Sequence, residues 1–313
     1  MVEYIMKRFL SALPVCLGVV ILVSLMTHLI PGDPIDVLLG EFATMDEKKL
    51  MQEMLGLNLP WWRQCVRYMV GALCGDLQSS LIYQEPVINM IGERIIPTVE
   101  LAVISVLVAM TLSIPIGIAA AIKKGHTFDL VSMALALTAV AMPNFWLGPM
   151  LIMLFSLKLE LLPVSENLGF SSYILPSITI GTSLAAILAR MTRNSMLEVL
   201  KEDYIRTARS KGIKEKWVLI KHALRNASLP LTSVLGLQLG ALLTGSVITE
   251  KIFDWPGLGT LMLDALGNRD YPLIQGCVLV FSLSYLSINL VTDIFYAVID
   301  PRIKVTGSSH GFS

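Results

Sequence analysis

The sequence predicts an all-α membrane protein with six transmembrane helices, and three observations support this prediction. The mean hydropathy of the 313-residue chain is +0.69, since 54% of its residues are hydrophobic and only 15% are charged. Charge-free runs of about 20 residues, the length of a helix that crosses the hydrocarbon layer, recur along the chain. Lys and Arg residues are concentrated in alternate connections between these runs, which is the pattern of the positive-inside rule.

Six apolar runs are long enough to cross a bilayer. The first follows Lys7 and Arg8 and would extend for about 33 Å as a helix, too long for the apolar part of a signal peptide. We expect this run to be retained as the first span. The fourth run is rich in small and polar residues, which predicts packing among other helices rather than against lipid. The predicted spans are 9–30, 98–122, 130–157, 173–193, 229–250 and 275–299.

The charges of the connections predict the orientation of the spans. If the N-terminus is cytoplasmic, 16 of the 24 Lys and Arg residues lie on the cytoplasmic side. The positive-inside rule therefore predicts that both termini are cytoplasmic. Residues 31–97 then form an extracytoplasmic segment and residues 194–228 a cytoplasmic loop, within a single transmembrane domain that covers residues 1–313.

The extracytoplasmic segment contains two amphipathic stretches, near 46–55 and 61–74, that predict helices between turn signals. Trp61, Trp62 and Tyr68 lie in the second stretch. Aromatic residues of this kind favour a helix that lies along the membrane surface.

The cytoplasmic loop has the pattern of two helices joined at a glycine. Ser195 is a suitable N-cap for the first helix, and Gly212 stands where a left-handed glycine would end it. The second helix is predicted over 214–226, and Pro230 would open the next span. Its apolar residues at helical spacing are Trp217, Ile220 and Leu224. A loop that only fixes topology needs a few positive charges, so two ordered helices with apolar stripes favour a docking surface for another protein.

Small and polar residues inside the spans are candidates for helix packing or for a transport pathway. Gly236, Gly240 and Thr244 occupy every fourth position of the fifth span, which indicates close helix contact within the chain or with a second subunit. Asn144 follows Pro143, where a break in the third span would suit a polar path or a simple kink. We expect two further prolines, Pro115 and Pro149, to interrupt the second and third spans.

Asn289 and Asp293 are four residues apart on the last span and therefore share one face of that helix. An ionisable residue within a span is a candidate for function. Because Asp293 is close to the cytoplasmic end, an interhelical pair that only supports the structure is the alternative.

The sequence lacks the residues that several functional classes require. No glycine is followed by lysine, so the chain has no P-loop, and transport energy comes from a partner or from an ion gradient. The four Cys and four His residues show no metal-ligand spacing, and no nucleophile stands with a base. We therefore expect neither a catalytic residue nor a metal site in this chain.

Motifs spread along the chain resemble a known family. The cytoplasmic loop contains EDYIRTARSKG at 202–212 and HALRNASLP at 222–230. The other motifs, in chain order, are PGDP at 31–34, GLNLP at 56–60, GDLQSS at 75–80, RIIPTVEL at 94–101, MPNFWLG at 142–148, MTRNSMLEVLKEDY at 191–204, WPGLG at 255–259, NRDYPLIQG at 268–276 and DPRI at 300–303. This series resembles the permease subunits of binding-protein-dependent ABC importers, in the peptide/nickel group.

The resemblance implies the type I ABC importer permease fold and a place in the bacterial inner membrane. It implies three kinds of protein partner, which are a second homologous permease subunit, two ABC ATPase subunits and an extracytoplasmic solute-binding protein. ATP and Mg would be bound by the ATPase subunits, so no cofactor is expected in this chain. In this family the cytoplasmic loop carries a coupling helix that inserts into a cleft of the ATPase. The coupling residues carried over to this chain are Asp203, Tyr204, Arg206, Thr207, Ala208, Lys211 and Gly212.

The resemblance also limits the class of solute that the chain is expected to transport. Di- and oligopeptides, glutathione included, are the expected class, and nickel or a metal chelate is the alternative within the family. A secondary transporter driven by an ion gradient is the alternative from another class, but it leaves the cytoplasmic helix pair unexplained. Two residues depart from the family pattern in the outer loops, Gln78 where glycine is usual and Thr260 where a basic residue is usual.

Overall fold

The computed structural model describes residues 10, 14–25, 35, 39, 43–164 and 169–299, excluding the side chains of 54–55, 229, 243–245 and 293–299. Within these residues the secondary structure is helical, with one isolated antiparallel bridge between Ser79 and Pro86. The all-α prediction is confirmed.

Twelve main helices are present in the described part of the chain. The first four are α1 (Pro14–Leu25), α2 (Met45–Leu55), α3 (Trp61–Leu73) and α4 (Val87–Ile122). Next are α5 (Thr127–Ala141), α6 (Asn144–Leu151) with a π-helical continuation Ile152–Lys158, and α7 (Ser171–Val199). The others are α8 (Asp203–Ser210), α9 (Leu224–Gly245), α10 (Val247–Ile252), α11 (Leu258–Gly267) and α12 (Tyr271–Ile299). A short helix Glu215–Trp217 and a π-helical turn Val218–Ala223 lead directly into α9.

The described residues form two compact units. The first contains those up to Thr98 together with Pro256–Leu290, and the second contains Val99–Trp255 together with those from Val291. Both α4 and α12 therefore begin in the first unit and end in the second.

The core of the first unit gathers apolar side chains from α3, α4, α11 and α12. Tyr68 and Leu77 pack there with Val87 of α4, Leu258 of α11 and Leu273 of α12. The N–H of Leu258 donates to Thr98 Oγ1 over 2.8 Å, which fixes the start of α11 against α4. Burial of this apolar surface is the main stabilising contribution.

Helix α7 is the centre of the second unit, where it packs against α5 and α9. Leu184 and Leu188 of α7 are buried with Val106 of α4 and Leu231 of α9. A Cβ built at Gly181 would lie 2.9 Å from the Ser105 carbonyl oxygen, so glycine permits the close approach of α7 to α4. The prediction that the fourth span packs among other helices is confirmed, because 61% of its most apolar window is buried, against 22% for α12.

Three described helices, α4, α7 and α12, are long and apolar enough to cross a membrane. The first and fifth predicted spans correspond to shorter apolar helices, Pro14–Leu25 and Pro230–Leu242. Helix α4 has 36 residues, which is about 54 Å at 1.5 Å per residue and exceeds the hydrocarbon thickness. The helix that contains the second predicted span therefore begins eleven residues before residue 98, at Val87.

The third predicted span is a broken helix. Helix α5 and the α6 segment Asn144–Lys158 meet at an angle of 104°. Met142 at the break is extended, with φ −79° and ψ 119°, because the ring of Pro143 disfavours a helical residue before it. The predicted break at Pro143 is thus present, whereas the predicted interruption at Pro115 is wrong, since α4 continues through it.

The two helices predicted in the extracytoplasmic segment are confirmed as α2 and α3. Thr44 begins α2 with a capping box, since Thr44 Oγ1 accepts from the Glu47 N–H and Glu47 Oε2 accepts from the Thr44 N–H over 2.8 Å. Trp61 and Trp62 are half exposed, as a helix at a membrane surface requires. Tyr68 is only 2% exposed and belongs to the core instead.

Candidate functional site

Helix α8 occupies the middle of the cytoplasmic loop and contains most of the predicted coupling residues. Helix α7 runs on to Val199 and carries Ser195 within it, so the prediction of Ser195 as an N-cap is wrong. The reason is packing, because Met196 one residue later is fully buried and keeps this turn helical. The chain leaves the helical conformation only at Glu202, whose ψ is 145°, and α8 begins at Asp203.

The end of α8 is a Schellman motif, the glycine turn that commonly ends helices. The Gly212 N–H donates to the Arg209 carbonyl over 2.9 Å, and the Ile213 N–H donates to the Ala208 carbonyl over 3.4 Å. Gly212 has a φ of +72°, which is the left-handed conformation predicted for it. The motif fixes the direction in which the chain leaves α8.

The inner face of α8 is apolar and buried. Ile205 is fully buried and Ala208 is 6% exposed. They pack in a cluster with Ala121 at the end of α4, Met196 of α7 and Val218 of the π-helical turn. Burying an isoleucine side chain is worth about 1.5–3 kcal/mol, so this cluster holds α8 against the ends of the long helices. Ala208, predicted as a docking residue, therefore faces the interior of its own chain.

The outer face of α8 is polar, and Arg206 on this face has only a weak ion-pair partner among the described residues. Asp203, Thr207, Lys211 and Gly212 are exposed, and the Arg206 side chain is 81% exposed. Arg206 reaches only Asp203, over 3.7 Å, and a surface pair of this kind contributes well under about 1 kcal/mol. The guanidinium is therefore available to another molecule.

An ion pair across the turn connects α8 to the next helix. Arg209 donates through two nitrogens to the Glu215 carboxylate, at 2.7 and 3.2 Å. This hydrogen bonding lowers the pKa of Glu215 and raises that of Arg209. Neither Arg209 nor Glu215 was predicted as functional. The signal that could have identified the pair is an arginine just before the turn and an acidic residue just after it.

Exposed apolar and aromatic side chains lie beside α8. Trp217 is 53% exposed and Ile220 is 47% exposed. Leu224, the third residue of the stripe predicted for the second helix, is partly buried against the cluster under α8. The Tyr204 hydroxyl accepts from the Asn226 amide over 2.7 Å, which links α8 to the start of α9. The helix predicted to end at 226 is continuous with α9, and Pro230 lies inside α9 rather than at its start.

A second ion pair, largely buried, connects α5 to α7 and was not predicted from the sequence. Arg193 of α7 donates through Nε and Nη2 to the two carboxylate oxygens of Asp129 in α5, over 2.5 and 2.7 Å. Asp129 is 2% exposed and also accepts from the Gly125 N–H over 2.9 Å. The pair joins the first half of the broken span to the helix that leads into α8.

The remaining predicted residues are scattered through the helices. Asn144 is the first residue of α6, directly after the bend, and is partly buried. A Cβ at Gly236 would overlap the Thr292 side chain, so this glycine permits close packing of α9 on α12 within one chain. Gly240 is also buried, and the side chain of Thr244 lies outside the described residues.

The pair predicted on the last span is described only in part. Asn289 is partly buried on α12. Asp293 is helical in the same element, and its side chain lies outside the described residues. A role for either residue in the pathway stays a prediction.

The sequence matches models of two protein families over nearly its whole length. Residues 113–305 match the binding-protein-dependent transport system inner membrane component. Residues 1–102 match the N-terminal part of a binding-protein-dependent transport system membrane component.

Curated relatives include permeases of one transport system. The chain is 44% identical over 304 residues to the glutathione transport system permease protein GsiC of Salmonella paratyphi A. It is 42% identical over 304 residues to the protein of that name in Escherichia coli strain K12. Each alignment covers 97% of this chain and 99% of the relative.

Solved structures with the same fold include two transporters. One is the MetNI methionine ABC transporter in an inward-facing conformation, with a TM-score of 0.54 and 17% identity, covering 67% of this chain and 96% of that one. The other is an amino acid ABC transporter, with a TM-score of 0.50 and 14% identity, covering 67% of this chain and 94% of that one. These similarities confirm the ABC permease fold.

Proposed function

Because this chain belongs to the family of binding-protein-dependent transport system inner membrane components, we propose that it imports small peptides, glutathione among them, as half of an ATP-driven channel. The observation that carries the proposal is the similarity to glutathione permeases at 42–44% identity over 97% of the chain. As a multi-pass ABC importer permease of the inner membrane, the chain is not itself catalytic. ATP and Mg are bound by the partner ATPases.

Coupling to the ATPases is assigned to α8. Its outer residues Asp203, Tyr204, Arg206, Thr207 and Lys211 enter a cleft of the ATPase, and Gly212 sets the exit of the helix. Ala208 contributes indirectly, because its contacts with the buried cluster on the inner face of α8 fix the position and rotation of this helix. Support for this assignment comes from an apolar inner face that seats the helix and a charged outer face without strong partners.

The complete transporter contains two homologous permeases, two ATPases and an extracytoplasmic binding protein. The single transmembrane domain of this chain lines half of the pathway, and Asn144, Asn289 and Asp293 are its proposed polar contacts with the solute. Gly236 packs against Thr292 in the same chain. Contact with the second permease is proposed for the stripe through Gly240 and Thr244.

Transport in proteoliposomes tests the energy source and the solute together. The purified complex is reconstituted with ATP inside and the binding protein outside, and uptake of labelled glutathione and of a dipeptide is measured. We expect uptake only when both ATP and loaded binding protein are present. Uptake of a nickel chelate alone would favour the metal alternative, and uptake driven by a proton gradient without ATP would contradict the proposal.

Charge reversal at Arg206 tests the coupling surface. Because this side chain is exposed and makes only a weak contact within the chain, Arg206→Glu leaves the fold unchanged. We expect it to lower the ATPase activity stimulated by the loaded binding protein about tenfold or more, with a salt dependence typical of interface charges. Arg225→Glu, an exposed arginine on α9, is the matched control. Equal stimulated ATPase activity in both variants would remove α8 from the interface.

A further inference from the structure

The first unit contains a cavity of about 350 Å³ between α3, the turn after α2, residues 76–81 and the start of α12. Its volume lies in the range of sites for small molecules, roughly 300–1,000 Å³. The lining includes five charged or amide side chains, which are Gln64, Arg67, Asp76, Gln78 and Gln275. By the predicted topology the cavity is extracytoplasmic.

The walls of the cavity are held in place by hydrogen bonds from Asp270 and Gln64. Asp270 is fully buried and accepts from the N–H groups of Leu81 and Leu273 over 3.2 and 3.3 Å, and from the Ser80 hydroxyl. The Gln64 amide donates to the carbonyls of Leu57 and Leu59 over 3.1 and 2.9 Å. The segment of residues 76–81 and the turn after α2 are therefore fixed against α12 and α3 before any ligand arrives.

A positive charge in this wall has no partner. Arg67 is exposed and makes no hydrogen bond or ion pair with any other described residue. Its guanidinium lies over Gly56, where an added Cβ would come within 2.6 Å of Nη1, and Gly56 itself has a φ of +71°. Glycine at this turn thus leaves room for the arginine inside the cavity.

A negative charge lines the same cavity. One carboxylate oxygen of Asp76 accepts from the Gln78 N–H over 2.8 Å, and its side chain is in no described ion pair. The Asp76 backbone lies against Gly71, one helical turn beyond Arg67 on α3, where an added Cβ would be 2.8 Å from the Asp76 carbonyl oxygen. The lining of the cavity therefore contains both a cationic and an anionic side chain.

Tyr68 contributes to the lining of this cavity, but its hydroxyl oxygen is buried and does not open into it. The side chain is 2% exposed and belongs to the core of the first unit, together with Cys277. Burial raises the pKa of Tyr68, so the hydroxyl stays protonated. The groups that can bind a ligand are therefore the charged and amide side chains of the lining.

We propose that this cavity binds a small peptide with free ends, its carboxylate on Arg67 and its ammonium group on Asp76. The opposite charges match a zwitterion, and a guanidinium binds a carboxylate through strong charge-assisted hydrogen bonds. The choice of a peptide over another zwitterion rests on the proposed function. The site would hold solute on the outer side of the permease itself, after its release from the binding protein.

Direct binding to the complete complex, without the binding protein, tests the proposal. Glutathione and alanyl-alanine are titrated into purified complex in nanodiscs, and binding is followed by calorimetry and by saturation-transfer NMR. We expect both to bind, and acetyl-alanyl-alanine amide, which has no charged ends, not to bind. Arg67→Gln and Asp76→Asn should each weaken binding about tenfold or more, the loss expected for one charge-assisted contact.

Two variants serve as matched controls. Arg63→Gln removes an arginine of the same helix that stacks on Trp62 at 5.0 Å, outside the cavity. Asp46→Asn removes an exposed aspartate at the start of α2. Both should bind the peptides within about twofold of the wild type, a difference smaller than that of one lost contact.

Parallel uptake measurements separate this proposal from the proposed function. If the wild type imports peptide from its binding protein but binds no free peptide, or binds the end-blocked peptide equally well, the cavity proposal is overturned and the function stands. If Arg67→Gln and Asp76→Asn weaken association with the binding protein but leave peptide binding unchanged, the cavity is a protein contact and the proposal is likewise overturned. If no peptide is imported at all, the proposed function fails.

Discussion

Gly212 is the residue that sets the exit of the chain from α8. Its φ of +72° is the left-handed conformation, which costs an L-residue with a Cβ roughly 1–2 kcal/mol. A Cβ there would contact nothing within 4 Å, so Gly212→Val strains the backbone without a steric clash. We expect normal insertion into the membrane but reduced ATPase activity in response to the loaded binding protein, because Arg206 and Thr207 are displaced.

Two comparisons make the Gly212 measurement specific. Gly169→Val introduces a β-branched residue at another left-handed glycine, with φ +94° and open surroundings, far along the chain from the coupling helix. It should leave ATPase stimulation intact. Gly212→Asn should retain most of the activity, since asparagine tolerates the left-handed conformation. Full activity in Gly212→Val would mean that α8 does not depend on this turn.

Gln78 stands where the family usually has glycine, and its conformation accounts for that preference. Its φ is +66°, a region that favours glycine, and its N–H is tied to Asp76. Replacing Gln78 by glycine removes the cost of the left-handed conformation but increases the flexibility of the unfolded chain. The net effect should be a stabilisation of about 0.5–1 kcal/mol. A rise of a few degrees in the melting temperature of the purified protein checks this, and a fall would show that the glutamine side chain contributes more than its backbone costs.

Some positions at which glycine or proline determines the backbone conformation could be predicted from the sequence. The left-handed Gly212 and the break at Pro143 follow from the conformational preferences of glycine and proline. The same preference predicted an interruption at Pro115 that is absent, because α4 continues through it. The pairs Asp129–Arg193 and Tyr204–Asn226 were not predicted, because each joins residues 22 or more positions apart that only the packing of helices brings together.

At the scale of elements, the pair between Asp129 and Arg193 holds α5 to α7. Asp129→Ala would leave a largely covered guanidinium without its partner and remove the acceptor for the Gly125 N–H. We expect a loss of about 1–3 kcal/mol in stability, measured by thermal unfolding of the purified protein. Asp203→Ala, which removes the exposed partner of Arg206, should cost less than about 1 kcal/mol. Equal melting temperatures for the two variants would show that the covered pair is no stronger than the surface pair.

Helix boundaries were less predictable than helix positions. Hydropathy located each apolar run, but it could not show that α7 passes through Ser195 or that α9 passes through Pro230. Both errors have the same cause. Ser195 was interpreted as an N-cap, and Pro230 as the start of a helix, from their local conformational preferences alone. Burial of Met196 beside Ser195, and of Ala227 and Leu231 on either side of Pro230, keeps both stretches helical.

At the scale of the whole molecule, the small residues of the fifth span had two possible partners. The contact of Gly236 with Thr292 joins α9 to α12 and accounts for the glycine within one chain. Sequence alone could not distinguish this from contact with a second subunit, because close helix packing requires the same small residues in either case. The contact of this stripe with a second permease stays a prediction.

The orientation of the chain in the membrane is the property on which both proposals depend. It is predicted from the charge asymmetry of the connections, because a cytoplasmic N-terminus would put 16 of the 24 Lys and Arg residues on the cytoplasmic side. A reporter enzyme that is active only outside the cytoplasm should therefore work when fused after Gly56 or after Asn268, and fail after Gly212. A reporter that fluoresces only in the cytoplasm should give the reverse pattern at the same three positions. Activity of the first reporter after Gly212 would place α8 outside the cell, out of reach of any ATPase, and would place the cavity beside Arg67 in the cytoplasm.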